Sequence, residues 1–369
     1  MHYLVNFSNQ VAAGPRMIAK NFILSSCKSL HNFTFIVPNS DYYRSISTSS
    51  NVELIYINST PGSFKSLFLV FYVNYYLINN LCKKYCYDGI IAFGNFYLAN
   101  ENNNVVLLLH HPYLVDDKLY NSLPLKAKAI EKIKRLLFKK GLKKVSKVIV
   151  QTSYMNELLI SKYSYPRINA QIIHNPISDF FKGNQREGFV FKADEIKLFY
   201  PSRYYKHKNH KLALEVAKLA SKLNLPITVY VTIDASISDG GKFLETADNV
   251  SNFINIGELQ QEELVKYYSE SSFMLFTSLS ETYGNPLAES VVSGLPVIAP
   301  DLGYARSILL DSGNYFSVKG GLDSQAKEII NIVNDYNTSK YQQNIQALSH
   351  QKNRFPFVDD WFNRLMKLL

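Results

Sequence analysis

Cysteine is scarce in this chain: Cys27, Cys82 and Cys86 are the only three among 369 residues. So few exclude a disulfide framework. Cys82 and Cys86 are helical neighbours, but no further Cys and no nearby His completes a metal-ligand set, so they read as packed thiols and no metal is expected. Long apolar runs are missing as well. The most lipid-like segment, 67–78, is too short to span a bilayer, which takes about 20 apolar residues, and it reads as a buried helix. Met1 to Phe7 lacks the basic start and apolar core of an export signal and reads as a first strand. A cytoplasmic location is therefore expected. There are no internal repeats and no low-complexity tract. Negative charge is short: 30 acidic residues face 40 basic ones, a net charge of +10, which calls for an anionic partner such as a nucleotide, a membrane surface or nucleic acid.

The chain does contain alternating apolar runs and helical patterns. At 47% hydrophobic and 19% charged it is globular, and its length suits two domains. Residues 3–7, 33–37, 52–57, 87–93, 105–109 and 148–153 read as strands. Met17 to Leu30, the apolar stretch 64–83 and 154–163 read as helices. This alternation predicts an α/β layer with a parallel sheet. The polar stretch 182–188 reads as a linker, after which Lys197 to Ser202 restarts the strand pattern. Pro226 to Ile233 is a further strand and Glu262 to Tyr268 a helix.

The most informative stretch is 272–299. Phe273 to Phe276 is a short buried strand, and Asn285 can cap a helix whose first position suits Pro286. Gly294 ends that helix, and Leu295 to Ala299 is the next strand. A helix N-terminus fed by a strand is a ready anion site, and Gly284 lets a ligand approach its backbone closely. Glu281 and Glu289 bracket the turn. Carboxylates accept hydrogen bonds from sugar hydroxyls, so this combination suits a nucleotide sugar.

Glu281-x7-Glu289, with Tyr-Gly-Asn-Pro inside it and Gly-Leu-Pro-Val behind, resembles the signature of the family-4 retaining glycosyltransferases. The resemblance implies the GT-B fold: two facing Rossmann-like α/β domains with a central cleft. The expected division is an N-terminal acceptor domain over 1–182, a donor domain over 183–350, and a final helix over 351–369 crossing back to the first domain. By the same resemblance Glu281 contacts the donor sugar and Glu289 the ribose. Backbone at Gly284, Asn285, Pro286 and Leu287 takes the sugar and diphosphate, and Gly257 lies in the turn beside the base. Arg203 and Lys208 match the family's Arg-x4-Lys pair, two cations that would neutralise charge building on a leaving diphosphate. Gly14 and Arg16 match a first loop over the donor phosphates. His110 matches a cleft-facing histidine, with His111 the alternative because one residue of register decides which points in. Arg306 departs from the family, which commonly has an acidic residue there.

The resemblance implies transfer of a sugar, with retention of configuration, from a UDP- or GDP-linked donor to a lipid-linked saccharide acceptor in cell-surface polysaccharide (lipopolysaccharide or O-antigen) synthesis. No covalent nucleophile can be assigned, so a front-face displacement is expected, without metal or other cofactor. Ten basic residues between Lys126 and Lys147, with Ile130, Ile133, Leu136 and Leu137 at helical spacing, read as an amphipathic helix for an anionic membrane surface, hence a peripheral enzyme on the inner face of the cell membrane. Aromatic residues are not interleaved with these charges as nucleic-acid binding needs. The rival readings are a nucleotide-sugar 2-epimerase of the same fold and a non-catalytic nucleotide-sugar-binding subunit.

Overall fold

The computed structural model describes residues 1–11, 13–58, 64–100, 104–183, 186 and 189–369. The linker expected at 182–188 lies partly outside them. The chain forms two compact units, Met1–Pro176 with Pro356–Leu369, and Ile177–Phe355. The first division falls ahead of the expected 182/183 because the segment after Pro176 packs into the second unit. Phe181 meets Tyr268 edge-on with ring centroids 5.1 Å apart, and the Ser178 hydroxyl donates to Gln261. The return falls at Phe355/Pro356 rather than 350/351 because the helix Thr338–Gln351 carries the second unit past that point.

The first unit holds a parallel sheet of seven strands: β1 (His2–Asn6), β2 (Asn32–Pro38), β3 (Val52–Ile57), β4 (Gly89–Ala92), β5 (Asn104–Leu108), β6 (Lys147–Val150) and β7 (Ala170–Ile172). Their order is β3-β2-β1-β4-β5-β6-β7. The strands are near-continuous apolar runs because helices cover both faces. On one face lie α1 (Ala13–Cys27) and the last helix (Val358–Met366), joined through Phe22, whose ring centroid is 5.8 Å from Trp361 and 4.9 Å from Phe362. On the other lie α2, continuous through Phe64–Phe71, a π-helical stretch Tyr72–Leu77 and Ile78–Lys84, and α3 (Leu125–Leu142). Helix α4 (Ser153–Tyr163) is capped by the Thr152 side chain, which accepts from Met155 N.

Three local expectations change. Helix α1 begins at Ala13 rather than Met17, because Pro15 lacks an N–H and fits a first turn whose N–H groups have no intrahelical acceptor. Helix α2 is not a buried helix: Leu69, Val70, Val73, Leu77 and Ile78 face the core, while Phe68, Phe71, Tyr72, Tyr75 and Tyr76 are exposed. Of the two thiols expected to be packed, Cys86 is exposed, since it lies beyond the end of α2.

The second unit repeats the plan with β8 (Ile196–Tyr200), β9 (Ile227–Val231), β10 (Phe253–Asn255), β11 (Phe273–Leu275), β12 (Val297–Pro300) and β13 (Asn314–Phe316), all parallel in the order β10-β9-β8-β11-β12-β13. The helices that matter below are α5 (His210–Lys222), α6 (Gln261–Glu270) and α7 (Asn285–Ser293). In both units the winding reverses beside the first strand, between β1 and β4 and between β8 and β11. Such switch points are where open α/β sheets bind ligands, outside the strands' carboxyl ends.

Candidate active site

The second unit's switch point collects most of the residues singled out in the sequence. Arg203 and Lys208 lie in the turn between β8 and α5, and Glu281 follows β11, the strand paired with β8. Lys208 and Glu281 form an ion pair, each side chain only about one-sixth exposed. The Ser278 hydroxyl donates to the same Glu281 oxygen at 2.7 Å. Lys208 is held from behind: the Tyr200 hydroxyl donates to its carbonyl at 2.6 Å and the Thr277 hydroxyl at 2.9 Å. The next residue, Asn209, takes the left-handed conformation at φ 53° that starts α5. The ammonium therefore sits on a fixed backbone, beside the carboxylate.

Arg203 is tied differently. Its guanidinium pairs with Glu258, which follows Gly257 in the turn after β10. Gly257 has φ +74°, which a side chain would strain, and nothing lies within 4 Å of where its Cβ would be.

The turn into α7 differs from expectation by one position. Gly284, not Asn285, is the cap residue, with Asn285 and Pro286 inside the first turn. Gly284 has φ +82°, and a Cβ there would also come within 3.3 Å of Leu287 and 3.5 Å of Phe276. Glycine is thus required on conformational and steric grounds, and it makes no side-chain cap hydrogen bond at the helix start. Leu287 packs inward, its N–H donating to the Gly284 carbonyl at 2.9 Å. Gly294 ends the helix at φ +71°, as the sequence implies.

Glu289 does not join Glu281. It is turned to α6, where the Tyr268 hydroxyl donates to its Oε2 at 2.6 Å. Burial raises its pKa to about 7, against the opposing effect of that hydrogen bond. The carboxyl group thus titrates near neutrality. Arg306 is engaged by Asp301 at 2.7 Å and lies 3.8 Å over the Tyr315 ring, so it is not a free cation.

The remaining candidates lie in the first unit. His110 follows β5; its backbone N–H donates to the Asn95 side chain and its ring stacks at 6.3 Å on Phe93. Burial pushes its pKa down to about 4, so the imidazole is neutral. The side-chain amide of Gln151 meets His110 Nδ1 at 3.2 Å and so orients the ring. His111 is taken by Glu131 at 2.8 Å. Burial would raise the Glu131 pKa, but His111 and Lys134 bring it down to about 2. Gly14 lies in the first turn of α1 with nothing within 4 Å of where a Cβ would be, and Arg16 lies 4.9 Å over the Tyr42 ring. Among the described residues no cluster of three His, Cys, Asp or Glu side chains could hold a metal.

Sequence reasoning passed over Glu258, Tyr268 and Gln151. Glu258 stood next to the flagged Gly257, and that adjacency was the available signal. Tyr268 and Gln151 meet their partners only through the tertiary fold.

Residues 181–347, which include Arg203, Lys208, Glu281 and Glu289, match the family model described as glycosyl transferases group 1. The chain is 22% identical over 263 residues to an uncharacterised 41.2 kDa protein from the cps region of Klebsiella pneumoniae, covering 68% of each. Solved structures share the architecture over the whole length. WaaG, a glycosyltransferase involved in lipopolysaccharide biosynthesis, matches with TM-score 0.72 at 13% identity, covering 100% of this chain and 99% of that one. A Rickettsia africae glycosyltransferase matches with TM-score 0.71 at 15% identity, covering 100% and 97%. Anabaena HepE, solved with UDP and glucose, matches with TM-score 0.67 at 14% identity, covering 100% of both chains. The chain has the GT-B fold, and the residues matched by the family model lie in its second unit.

Proposed function

We propose that this protein transfers a sugar, with retention of configuration, from a nucleoside diphosphate donor to a saccharide acceptor in the assembly of a cell-surface polysaccharide. The observation that carries the reading is the gathering of Lys208, Glu281, Arg203 and the Gly284-capped start of α7 at the switch point of the transferase domain. Arg203 and Lys208 would exchange their carboxylate partners for the donor diphosphate, and the N-terminal dipole of α7 adds to their field. Released from Lys208, Glu281 accepts from hydroxyls of the donor sugar, and Glu289 from the ribose. Backbone at Asn285 to Leu287 lies along the diphosphate, and Gly257 beside the base.

In the reaction the anomeric C1–O bond breaks and its electron pair leaves on the diphosphate. The acceptor oxygen bonds C1 on the same face, and its proton passes to the departing phosphate oxygen. No step needs a metal. His110, a neutral imidazole, serves the reacting face, and Gly14, in the first turn of α1, lies over the donor phosphates. UDP is the first nucleotide to test, since HepE was solved with it.

A lipid-linked acceptor and attachment to the inner face of the cell membrane are part of the proposal. They rest on α3, although fewer charges are available than the sequence suggested. Lys128, Lys134, Arg135, Lys144 and Lys147 are engaged by side chains or carbonyls of their own unit. Lys126, Lys132, Lys139, Lys140 and Lys143 remain exposed, beside exposed Leu125, Ile133 and Leu136. Each such lysine contributes about 1 kcal/mol at an anionic surface.

Thermal stabilisation by UDP, GDP, ADP and dTDP, measured on wild type and Arg203→Ala, tests the donor site. A shift with one nucleotide that is lost in the variant is expected. A shift unaltered by the variant refutes the role of Arg203, and no turnover of any nucleotide sugar refutes the transferase.

A further inference from the structure

Helix α2 has two apolar faces, and the fold uses one. Leu69, Val70, Val73, Leu77 and Ile78 point into the core beneath it. The buried Asn74 anchors the π-helical stretch, donating to the Val70 carbonyl at 2.9 Å and accepting from Asn6 at 3.1 Å. The outer face carries Phe68, Phe71, Tyr72, Tyr75 and Tyr76 in successive turns. Phe68 is 72% exposed and Tyr76 56%, values that exclude a core role for either. The rings pair along the helix, Phe71 with Tyr75 at 5.1 Å and Tyr72 with Tyr76 at 5.6 Å, forming a ridge rather than scattered residues. Contiguous exposed apolar surface of this kind marks an interaction site.

We infer that this outer face of α2 is an interfacial anchor for an anionic lipid bilayer. Three observations favour lipid over another occupant. First, residues 64–84 contain no Asp or Glu, and Lys83 and Lys84 stand exposed at the end of α2. Second, the ridge is rich in tyrosine, whose apolar ring and polar hydroxyl suit the headgroup boundary. Third, α2 and α3 lie over the same hydrophobic cluster, and Asn100 ties α2 to the turn that follows α3: its N–H donates to Asn79 at 2.8 Å and its side-chain oxygen accepts from Lys144 at 2.7 Å. The aromatic ridge and the unpaired lysines of α3 therefore belong to one layer of the first unit. Among the described residues no helix is long and apolar enough to cross a membrane, so the contact is with the bilayer surface.

The inference rests on the reading of this protein as a membrane-associated transferase, and its test separates the two. Phe71→Trp supplies a fluorescent reporter against Trp361, which is only 1% exposed and so a constant background. With vesicles of phosphatidylethanolamine and phosphatidylglycerol, a blue shift and quenching by brominated lipid are expected. The triple variant Phe68→Ser/Phe71→Ser/Tyr76→Ser should lose about tenfold or more in vesicle partitioning. It should keep the wild-type circular dichroism and nucleotide response. An unshifted reporter, or a triple variant that partitions like wild type, overturns the inference. So does a wild-type dimer that the triple variant makes monomeric, because the ridge would then cover a second copy. If vesicles bind and no nucleotide does, the anchor stands and the transferase reading falls.

Discussion

Replacing Glu289 by Gln should make the second unit more stable at alkaline pH and leave it nearly unchanged at acid pH. The reason is desolvation. A buried carboxyl with pKa about 7, against an ordinary 4.5, binds its proton more tightly in the folded than in the unfolded chain. Stability from this group is complete below pH 4.5 and is lost as the pH rises through 7, because keeping the ionised form buried then costs free energy. The shift corresponds to about 3 kcal/mol as an upper limit. For a unit spanning Ile177–Phe355 that is roughly 6–12 °C in melting temperature. Gln keeps an oxygen to accept from Tyr268 and carries no proton equilibrium. Melting temperatures of wild type and Glu289→Gln should therefore coincide near pH 5 and diverge toward pH 8, the variant higher. UDP binding should move the opposite way in wild type, strengthening through pH 7 as the carboxylate becomes available to ribose hydroxyls, and this slope should vanish in the variant. Parallel melting curves from pH 5 to 8 would refute the desolvation argument, whatever the UDP result.

Other outcomes follow from the same geometry. Gly284→Ala forces a side chain into φ +82° and against Leu287 and Phe276, so a loss of about 1–2 kcal/mol is expected by thermal melting, together with weaker UDP binding by calorimetry. Lys208→Ala and Glu281→Ala should each cost stability, because each leaves the other charge half-buried and unpaired. The double variant should be less unstable than the sum, with a coupling of about 1–3 kcal/mol in a double-mutant cycle. Because burial keeps His110 neutral, the pH–rate profile should show no limb from this residue between pH 5 and 8. Gln151→Leu, which removes the side-chain partner that orients the His110 ring, should lower kcat more than it lowers the melting temperature. Changing Lys132, Lys139, Lys140 and Lys143 to Gln should weaken binding to anionic vesicles by about 1 kcal/mol per charge at low salt, and the difference should shrink at high salt.

Both sheets, the strand series and the turn into α7 were legible in the sequence because they depend on local terms. Apolar runs must be buried, and residues such as Gly284 and Gly294 suit backbone conformations that other side chains adopt at a cost. The spacings from Arg203 to Lys208 and from Glu281 to Glu289 carried the family for the same reason: they are fixed along the chain. What the sequence could not decide was which groups would find one another across it. Half of the basic segment is engaged, in part within its own helix, as Lys134 is by Glu131, and in part by distant elements, as Lys147 is by Leu368. One hydrophobic helix, α2, turned out to be half exposed, because a periodicity that is apolar all round does not say which side meets the sheet. Arg203 found Glu258, and Glu289 found Tyr268 and a pKa near neutrality. Desolvation and pairing of charge depend on three-dimensional neighbours, and only the tertiary structure supplied those.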